Sequence, residues 1–267
     1  MSNRFVETIQ TRQQNLGHHI CLGLDPDISK IPDHYPKNVS GIRAFMMDVI
    51  ECTKDLVLCY KPNVAFFEAL GLEGLSILPD LRDKIPTDVP VILDGKRGDI
   101  GNTSKFQARF MFDTLGADAV TLHPYMGIDS IAPFLDYSDK FSFVLALTSN
   151  PSSVDFESLS LESGDKMFEA ILHKIVDWNA EYGNVGAVVG ATHNQLAHIS
   201  QKFPSVLKLI PGVGSQGGDY NQAVQDGRDA HGLCIVNMSR SILYRSSSPD
   251  FGEDIRAYLK GFCHLQH

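Results

Sequence analysis

The sequence predicts an α/β protein, a (β/α)8 TIM barrel formed as a single domain over residues 1–267. Three observations predict it. Eight short runs rich in branched apolar residues recur along the chain, continuous rather than alternating, as expected of parallel strands covered on both faces. Stretches with helical apolar spacing lie between them. A polar or charged residue stands at or just beyond the C-terminal end of most of these runs, where a barrel assembles its site.

The first run, 20–25, ends on Asp25, and a helical stripe follows over 41–55 through Ile42, Phe45, Met46, Val49 and Ile50. The second run, 57–61, ends on Lys61 and the third, 90–94, on Asp94; a helix is expected over 102–115. Run 118–122 leads to His123, and run 143–148 to Ser149. The Ser-rich, acidic stretch 151–165 reads either as a solvated loop or as a cover over the site. A helix over 166–178, a strand over 186–190 and a helix over 195–203 come next. Run 207–211 leads towards Gln216, and run 233–237 precedes Arg240. An open doubly wound sheet shares this alternation but would gather its polar residues at one switch point. No Gly-x-Gly-x-x-Gly follows the first strand, there is no P-loop, and no linker divides the chain.

With 23 Lys and Arg against 32 Asp and Glu, the net charge is −9. That excludes general binding to nucleic acid or an anionic membrane, yet leaves room for a local pocket holding one phosphate. No stretch is apolar enough to span a membrane, and the opening Met-Ser-Asn-Arg-Phe-Val has no apolar signal core, so a cytoplasmic protein is expected. Cys21, Cys52, Cys59, Cys234 and Cys263 form no Cys-x-x-Cys and read as buried, reduced thiols. The histidines show no metal-ligand spacing, so no metal or other cofactor is expected. His18-His19 reads as exposed, and His123 as a core or supporting residue rather than a catalytic one.

The densest chemistry is Asp94-Gly95-Lys96-Arg97-Gly98-Asp99-Ile100-Gly101-Asn102-Thr103. Strand alternation points Asp94 and Lys96 the same way. A lysine held between carboxylates stays protonated and is a ready general acid. The plainer alternative is a solvated loop in which Asp99 or Asn102 caps the following helix. Glycines in Pro211-Gly212-Val213-Gly214 leave backbone N–H groups free to approach an anion, and Arg240 offers a planar cationic fork.

Asp-x-Lys-x-x-Asp-Ile-x-x-Thr at a third-strand end resembles the signature of the orotidine 5′-phosphate decarboxylase family, in its longer bacterial subfamily. The resemblance extends to Asp25 in Leu-Gly-Leu-Asp, Lys61 in Tyr-Lys-Pro-Asn, Ser149 in Ser-Asn-Pro-Ser, Gln216 after the glycine loop, and Arg240 in Ser-Arg-Ser-Ile. It implies a cofactor-free conversion of orotidine 5′-phosphate to UMP and CO2 in pyrimidine biosynthesis. Lys96 is then the proton donor within a Lys61/Asp94/Lys96/Asp99 array, and Asp25 and Lys61 bind ribose hydroxyls or orient the array. Ser149 would read the pyrimidine, and Gln216 and Arg240 grip the phosphate. Asp99, Ile100 and Thr103 would reach the partner's site in a homodimer. Two departures are Ser239, where glycine is common, and His123 before Pro124-Tyr125. Competing readings are a Mg²⁺-dependent sugar-phosphate decarboxylase and a non-catalytic nucleotide-binding barrel.

Overall fold

The computed structural model describes residues 3–191, 195–214 and 217–263. Eight parallel strands run β1 (Ile20–Leu24), β2 (Cys59–Pro62), β3 (Ile92–Arg97), β4 (Ala119–Leu122), β5 (Phe141–Leu147), β6 (Val185–Val189), β7 (Lys208–Ile210) and β8 (Ile235–Met238). Their order is β2-β1-β8-β7-β6-β5-β4-β3, and the bridges Tyr60–Val91 and Asn63–Asp94 join the two ends into a barrel. All eight expected strands form, with ends shifted by a few residues.

The helices are α1 (Arg4–Leu16), α2 (Val39–Thr53), α3 (Val64–Glu68), α4 (Gly71–Leu75), α5 (Ile77–Lys84), α6 (Gly101–Arg109), α7 (Ile128–Leu135), α8 (Met167–Tyr182), α9 (Leu196–Lys202), α10 (Tyr220–Gly227), α11 (Arg240–Leu243) and α12 (Phe251–Lys260). The helix expected over 102–115 is α6 continued by a wider π turn at Phe110–Thr114. Both α1 and the short helices between β2 and β3 are additions to the predicted set.

Alternation along the strands sets what lies inside. Cys21, Cys59, Ile92, Ala119, Phe143 and Ile235 pack as one inner cluster with Phe5 and Ile9 of α1. Helix α1 therefore closes the N-terminal mouth: Phe5 stacks on Phe141 with centroids 5.2 Å apart, and Asn3 donates to the carbonyls of Ser138 and Lys140. Its other end is tied by Arg12, which donates to the carbonyls of Lys54, Val57 and Leu58.

Two sequence expectations are corrected here. His18 and His19 are buried, not exposed, packed against the Leu56 and Cys234 carbonyls and the Tyr220 hydroxyl. His18 donates through Nε2 to the carbonyl of Leu56 (3.0 Å) and accepts at Nδ1 from the N–H of Ile20 (3.2 Å); His19 donates through Nδ1 to the carbonyl of Cys234 (3.0 Å). Burial, the largest influence, lowers each imidazole's pKa to about 4, so both are neutral at pH 7. Of the cysteines, Cys21, Cys59 and Cys234 are buried as expected, but Cys52 and Cys263 are only half-buried; all five are free thiols.

Candidate active site

Two residues beyond the inner cluster on each strand, alternation delivers the chemistry. From Cys59 it reaches Lys61, from Ile92 Asp94 and then Lys96, from Ala119 Thr121 and then His123, and from Ile235 Asn237 and then Ser239. These line a cavity of about 560 Å³ at the C-terminal mouth, together with Asp25, Ser149, Glu157, Gly212 and Arg240. Leu145, Val188 and Leu209 supply its apolar surface.

Asp94 is the hub. Its Oδ2 accepts from Lys61 Nζ at 2.7 Å, and its Oδ1 from Lys96 Nζ at 2.5 Å and Thr121 Oγ1 at 2.8 Å. Burial acts to raise the Asp94 pKa, but the two lysines override it and hold the carboxyl well below its ordinary value. For Lys61, burial acts to lower the pKa; Asp94 and Asp25 override that and raise it above the usual lysine value. The array is therefore charged at neutral pH. Lys61 is nearly sealed, with 5% of its side chain exposed, whereas Lys96 has 46% exposed, so Lys96 is the more accessible of the two lysines that line the cavity.

Lys96 has φ +44°, the sole positive φ among the described non-glycine residues. A side chain there crowds the backbone, a strain that persists only when surrounding contacts enforce it. The cause is local. Between the pairs Leu93–Val120 and Arg97–Leu122, β3 bulges past β4, and the bulge carries Asp94, Gly95 and Lys96.

Arg97 faces away, pairing with Glu68 at 2.6 Å. The capping alternative for the next residues fails: α6 begins with no side-chain cap, and Asp99 Oδ1 accepts only from the adjacent Ile100 N–H (2.8 Å). Asp99, Ile100 and Thr103 do not line the cavity. Ile100 is 58% exposed, as is Phe106 at 61%, and Phe110 is also exposed. Thr103, Phe106 and Phe110 fall on one helix face by spacing.

At the opposite side, β7 runs into Pro211-Gly212-Val213-Gly214. Gly212 (φ +97°) and Gly214 (φ +79°) adopt conformations that disfavour side chains, and Gly214 N–H closes the turn on the Gly218 carbonyl (3.0 Å). Gln216 lies outside the described residues. Beyond β8, Ser239 leads into α11, which opens with Arg240. Ser239 fits because of Gly23 on β1: a Cβ there would lie 2.7 Å from the Ser239 Cβ. Asp25 Oδ1, Ser239 Oγ and Ser241 Oγ are buried without a hydrogen-bond partner. Buried polar atoms are almost always paired, and two of these residues, Asp25 and Ser239, line the cavity, where a polar ligand would meet them.

The stretch 151–165 is mostly exposed, as the solvated-loop reading expects, but contributes Glu157 to the cavity lining. It begins with a 3₁₀ turn at Pro151–Asp155, and Glu157 then accepts from the N–H (2.7 Å) and hydroxyl (2.8 Å) of Thr148. Ser149 approaches so closely to Gly190 that a Cβ there would lie 2.8 Å from the Ser149 nitrogen. His123 sits exposed at the rim, its Nδ1 accepting from the Tyr125 N–H. The site thus unites Asp25, Lys61, Asp94, Lys96, Ser149 and Arg240 as expected. Thr121, Glu157 and Asn237 were not anticipated; the parity of Thr121 with His123, and of Asn237 with the inner Ile235, was the available signal. No group of three or more potential metal ligands occurs among the described residues.

Comparison with known proteins agrees with this geometry. A model of the orotidine 5′-phosphate decarboxylase / HUMPS family matches residues 18–251. The orotidine 5′-phosphate decarboxylase of Herpetosiphon aurantiacus is 45% identical over 245 residues, covering 91% of this chain and 90% of that protein. The solved OMP decarboxylase of Leishmania donovani superposes with a TM-score of 0.83 at 34% identity, covering 98% of this chain and 99% of that one. The UMP synthase of the same organism matches with a TM-score of 0.86 at 36% identity; this chain spans 55% of its length.

Proposed function

The chain belongs to the orotidine 5′-phosphate decarboxylase / HUMPS family, and we propose that it converts orotidine 5′-phosphate to UMP and CO2 in de novo pyrimidine biosynthesis. The observation that carries this reading is the buried Lys61–Asp94–Lys96 array, with one lysine nearly sealed and the other more accessible. Loss of CO2 from ring carbon 6 breaks the carbon–carboxylate bond and leaves its electron pair on carbon 6. That carbanion has little delocalisation, so the site must stabilise charge at one point and protonate it there. Lys96 Nζ gives the proton to carbon 6 and regains one from solvent. Asp94, held ionised, repels the substrate carboxylate and gains by its departure. Lys61 keeps Asp94 ionised and, lining the same cavity, binds a ribose hydroxyl or orients the array.

The glycine loop, Arg240 and Gln216 take the phosphate, Asp25 a ribose hydroxyl, and Ser149 the pyrimidine. The orphaned Asp25, Ser239 and Ser241 oxygens support that division. Phosphate binding remote from carbon 6 helps the rate by positioning the ring and excluding water. Ser149 and Arg240 on the same cavity favour this reading over a Mg²⁺-dependent sugar-phosphate decarboxylase. The reaction uses no cofactor and takes place in the cytoplasm; no helix among the described residues is long and apolar enough to cross a membrane.

Asp99, Ile100 and Thr103 complete the site of a second copy. Their exclusion from their own cavity, and the exposed Ile100, Phe106 and Phe110 around them, support a homodimer. Mixing inactive Asp99→Ala and Lys96→Ala subunits then repairs up to roughly a quarter of sites under free exchange, since about half of the dimers are mixed. Confirmed exchange with no rescue rejects the shared site. The reaction itself is tested by following orotidine 5′-phosphate absorbance with purified protein in EDTA. Turnover unaffected by the chelator is expected; no turnover, or turnover restored only by Mg²⁺, rejects the reading.

A further inference from the structure

We infer that Thr121 is a positioning residue for this reaction, its hydroxyl locking Asp94 and the strained backbone of Lys96 into one unit. The inference rests on the decarboxylase reading above and adds to it a residue that never touches the substrate's reacting atoms.

Thr121 is the one β4 residue between Val120 and Leu122, which pair with Leu93 and Arg97 on either side of the β3 bulge. It alone faces the three bulged residues. A bulge leaves ladder groups without their usual partners. Here the hydroxyl substitutes for the ladder: Thr121 Oγ1 accepts the Lys96 N–H at 3.0 Å and donates to Asp94 Oδ1 at 2.8 Å. A hydroxyl has one proton and two lone pairs, so accepting from Lys96 leaves that proton free for Asp94. The side chain is 1% exposed, and as a β-branched residue in a strand it has few rotamers to choose from. A single fixed oxygen thus holds the backbone of one reacting residue and the carboxylate of the other.

The consequence is geometric. Lys96 Nζ and Asp94 Oδ1 stand 2.5 Å apart because the φ +44° turn at Lys96 folds its side chain back over the bulge. Without the Thr121 oxygen, the Lys96 N–H loses its partner and the turn loses what enforces it. The lysine then relaxes towards ordinary φ and moves off the point where the proton is needed. Misplacement on the scale of an ångström is enough to slow an enzyme substantially.

The test compares Thr121→Val, which keeps the shape but removes the hydroxyl, with Thr121→Ser, which keeps the hydroxyl. For orotidine 5′-phosphate, Thr121→Val is expected to lower kcat by about tenfold to a hundredfold, the range for a lost buried hydrogen bond, while KM changes little. Thr121→Ser should stay within about threefold of the parent, the remaining loss being the methyl's packing. Hydrogen exchange at the Lys96 amide gives a readout that needs no turnover: protection is expected in the parent and in Thr121→Ser, and its loss in Thr121→Val. A thermal melt of each variant separates unfolding from misplacement. Equal kcat in the parent and Thr121→Val overturns the inference, and so does a Thr121→Ser defect as large as that of Thr121→Val. If Thr121→Val does not fold, Thr121→Ser decides alone: full rate with a protected Lys96 amide supports the inference, and an unprotected amide overturns it. A parent without turnover but with a protected Lys96 amide would instead reject the reaction and leave the hydroxyl's hold on the bulge standing.

Discussion

At the N-terminal mouth of the barrel, Phe5 and Ile9 of α1 pack on the inner cluster, and His18 and His19, just before β1, are buried and neutral. At the C-terminal mouth, two lysines share one buried carboxylate, one of them holds a left-handed φ, and three buried oxygens lack partners. The same eight strands feed both ends, and strand parity carries the chain from one to the other within four residues. The difference teaches where this fold keeps stability and where it keeps chemistry. At the closed mouth the two histidines are neutral, and each bonds a backbone carbonyl. The open mouth keeps charges and strain that only a substrate completes.

Breaking the array should have the largest effect. Asp94→Asn removes the charge that keeps Lys61 ionised and leaves that lysine buried without its partner, a defect that costs about 3–5 kcal/mol. Turnover is expected to fall by at least about a thousandfold, roughly 4 kcal/mol in the barrier, together with a lower melting temperature. Activity within tenfold of the parent would mean that the buried charge is dispensable. The mirror experiment lies at the other mouth. Phe5→Ala deletes a ring stacked on Phe141 and should cost about 3–5 kcal/mol of stability in a urea titration. Below the melting transition its kcat should match the parent; a tenfold loss would show that the two ends are not separable.

A smaller effect sharpens the contrast. His18 and His19 titrate near 6.5 when unfolded and near 4 when folded. Between those values the unfolded chain binds more protons, so stability falls as pH drops. The slope is up to about 1.4 kcal/mol per pH unit for each histidine, and their contribution is flat above 6.5. Asp94 acts in the same direction but in another window. Its depressed folded pKa gives stability that is present above the ordinary carboxylate value and lost only in stronger acid. As pH is lowered from about 7 to 4.5, urea midpoints should decline in the parent and decline less in His19→Gln. Equal slopes in the two proteins would contradict the burial of His19 as a neutral ring.

Much of this was legible in the sequence because parity is local. Asp94 and Lys96, two apart at a strand end, had to share a face, and Asp25, Lys61, Ser149 and Arg240 each followed an apolar run that became a strand. Thr121 obeys the same parity, but a threonine inside a β-branched run is also an ordinary strand former, so nothing local separates the two roles. Glu157 was hidden in an acidic segment, where one carboxylate among several turns back onto Thr148. His18-His19 was misread because its partners lie far along the chain: the Leu56 carbonyl for His18, and the Cys234 carbonyl and Tyr220 hydroxyl for His19. Asp99, Ile100 and Thr103 lie off their own chain's cavity, and the role proposed for them depends on a second copy, which no pattern within one chain contains.

The central claim is that Lys96, open to the cavity and paired with Asp94, delivers the proton. Single-turnover decay of orotidine 5′-phosphate by Lys96→Ala, run beside a thermal melt of the same preparation, tests it most directly. The account predicts a rate lower by many orders of magnitude in a protein that melts cooperatively and still binds UMP. A variant that keeps more than about a tenth of the parent rate, a barrier change under roughly 1.4 kcal/mol, would contradict it.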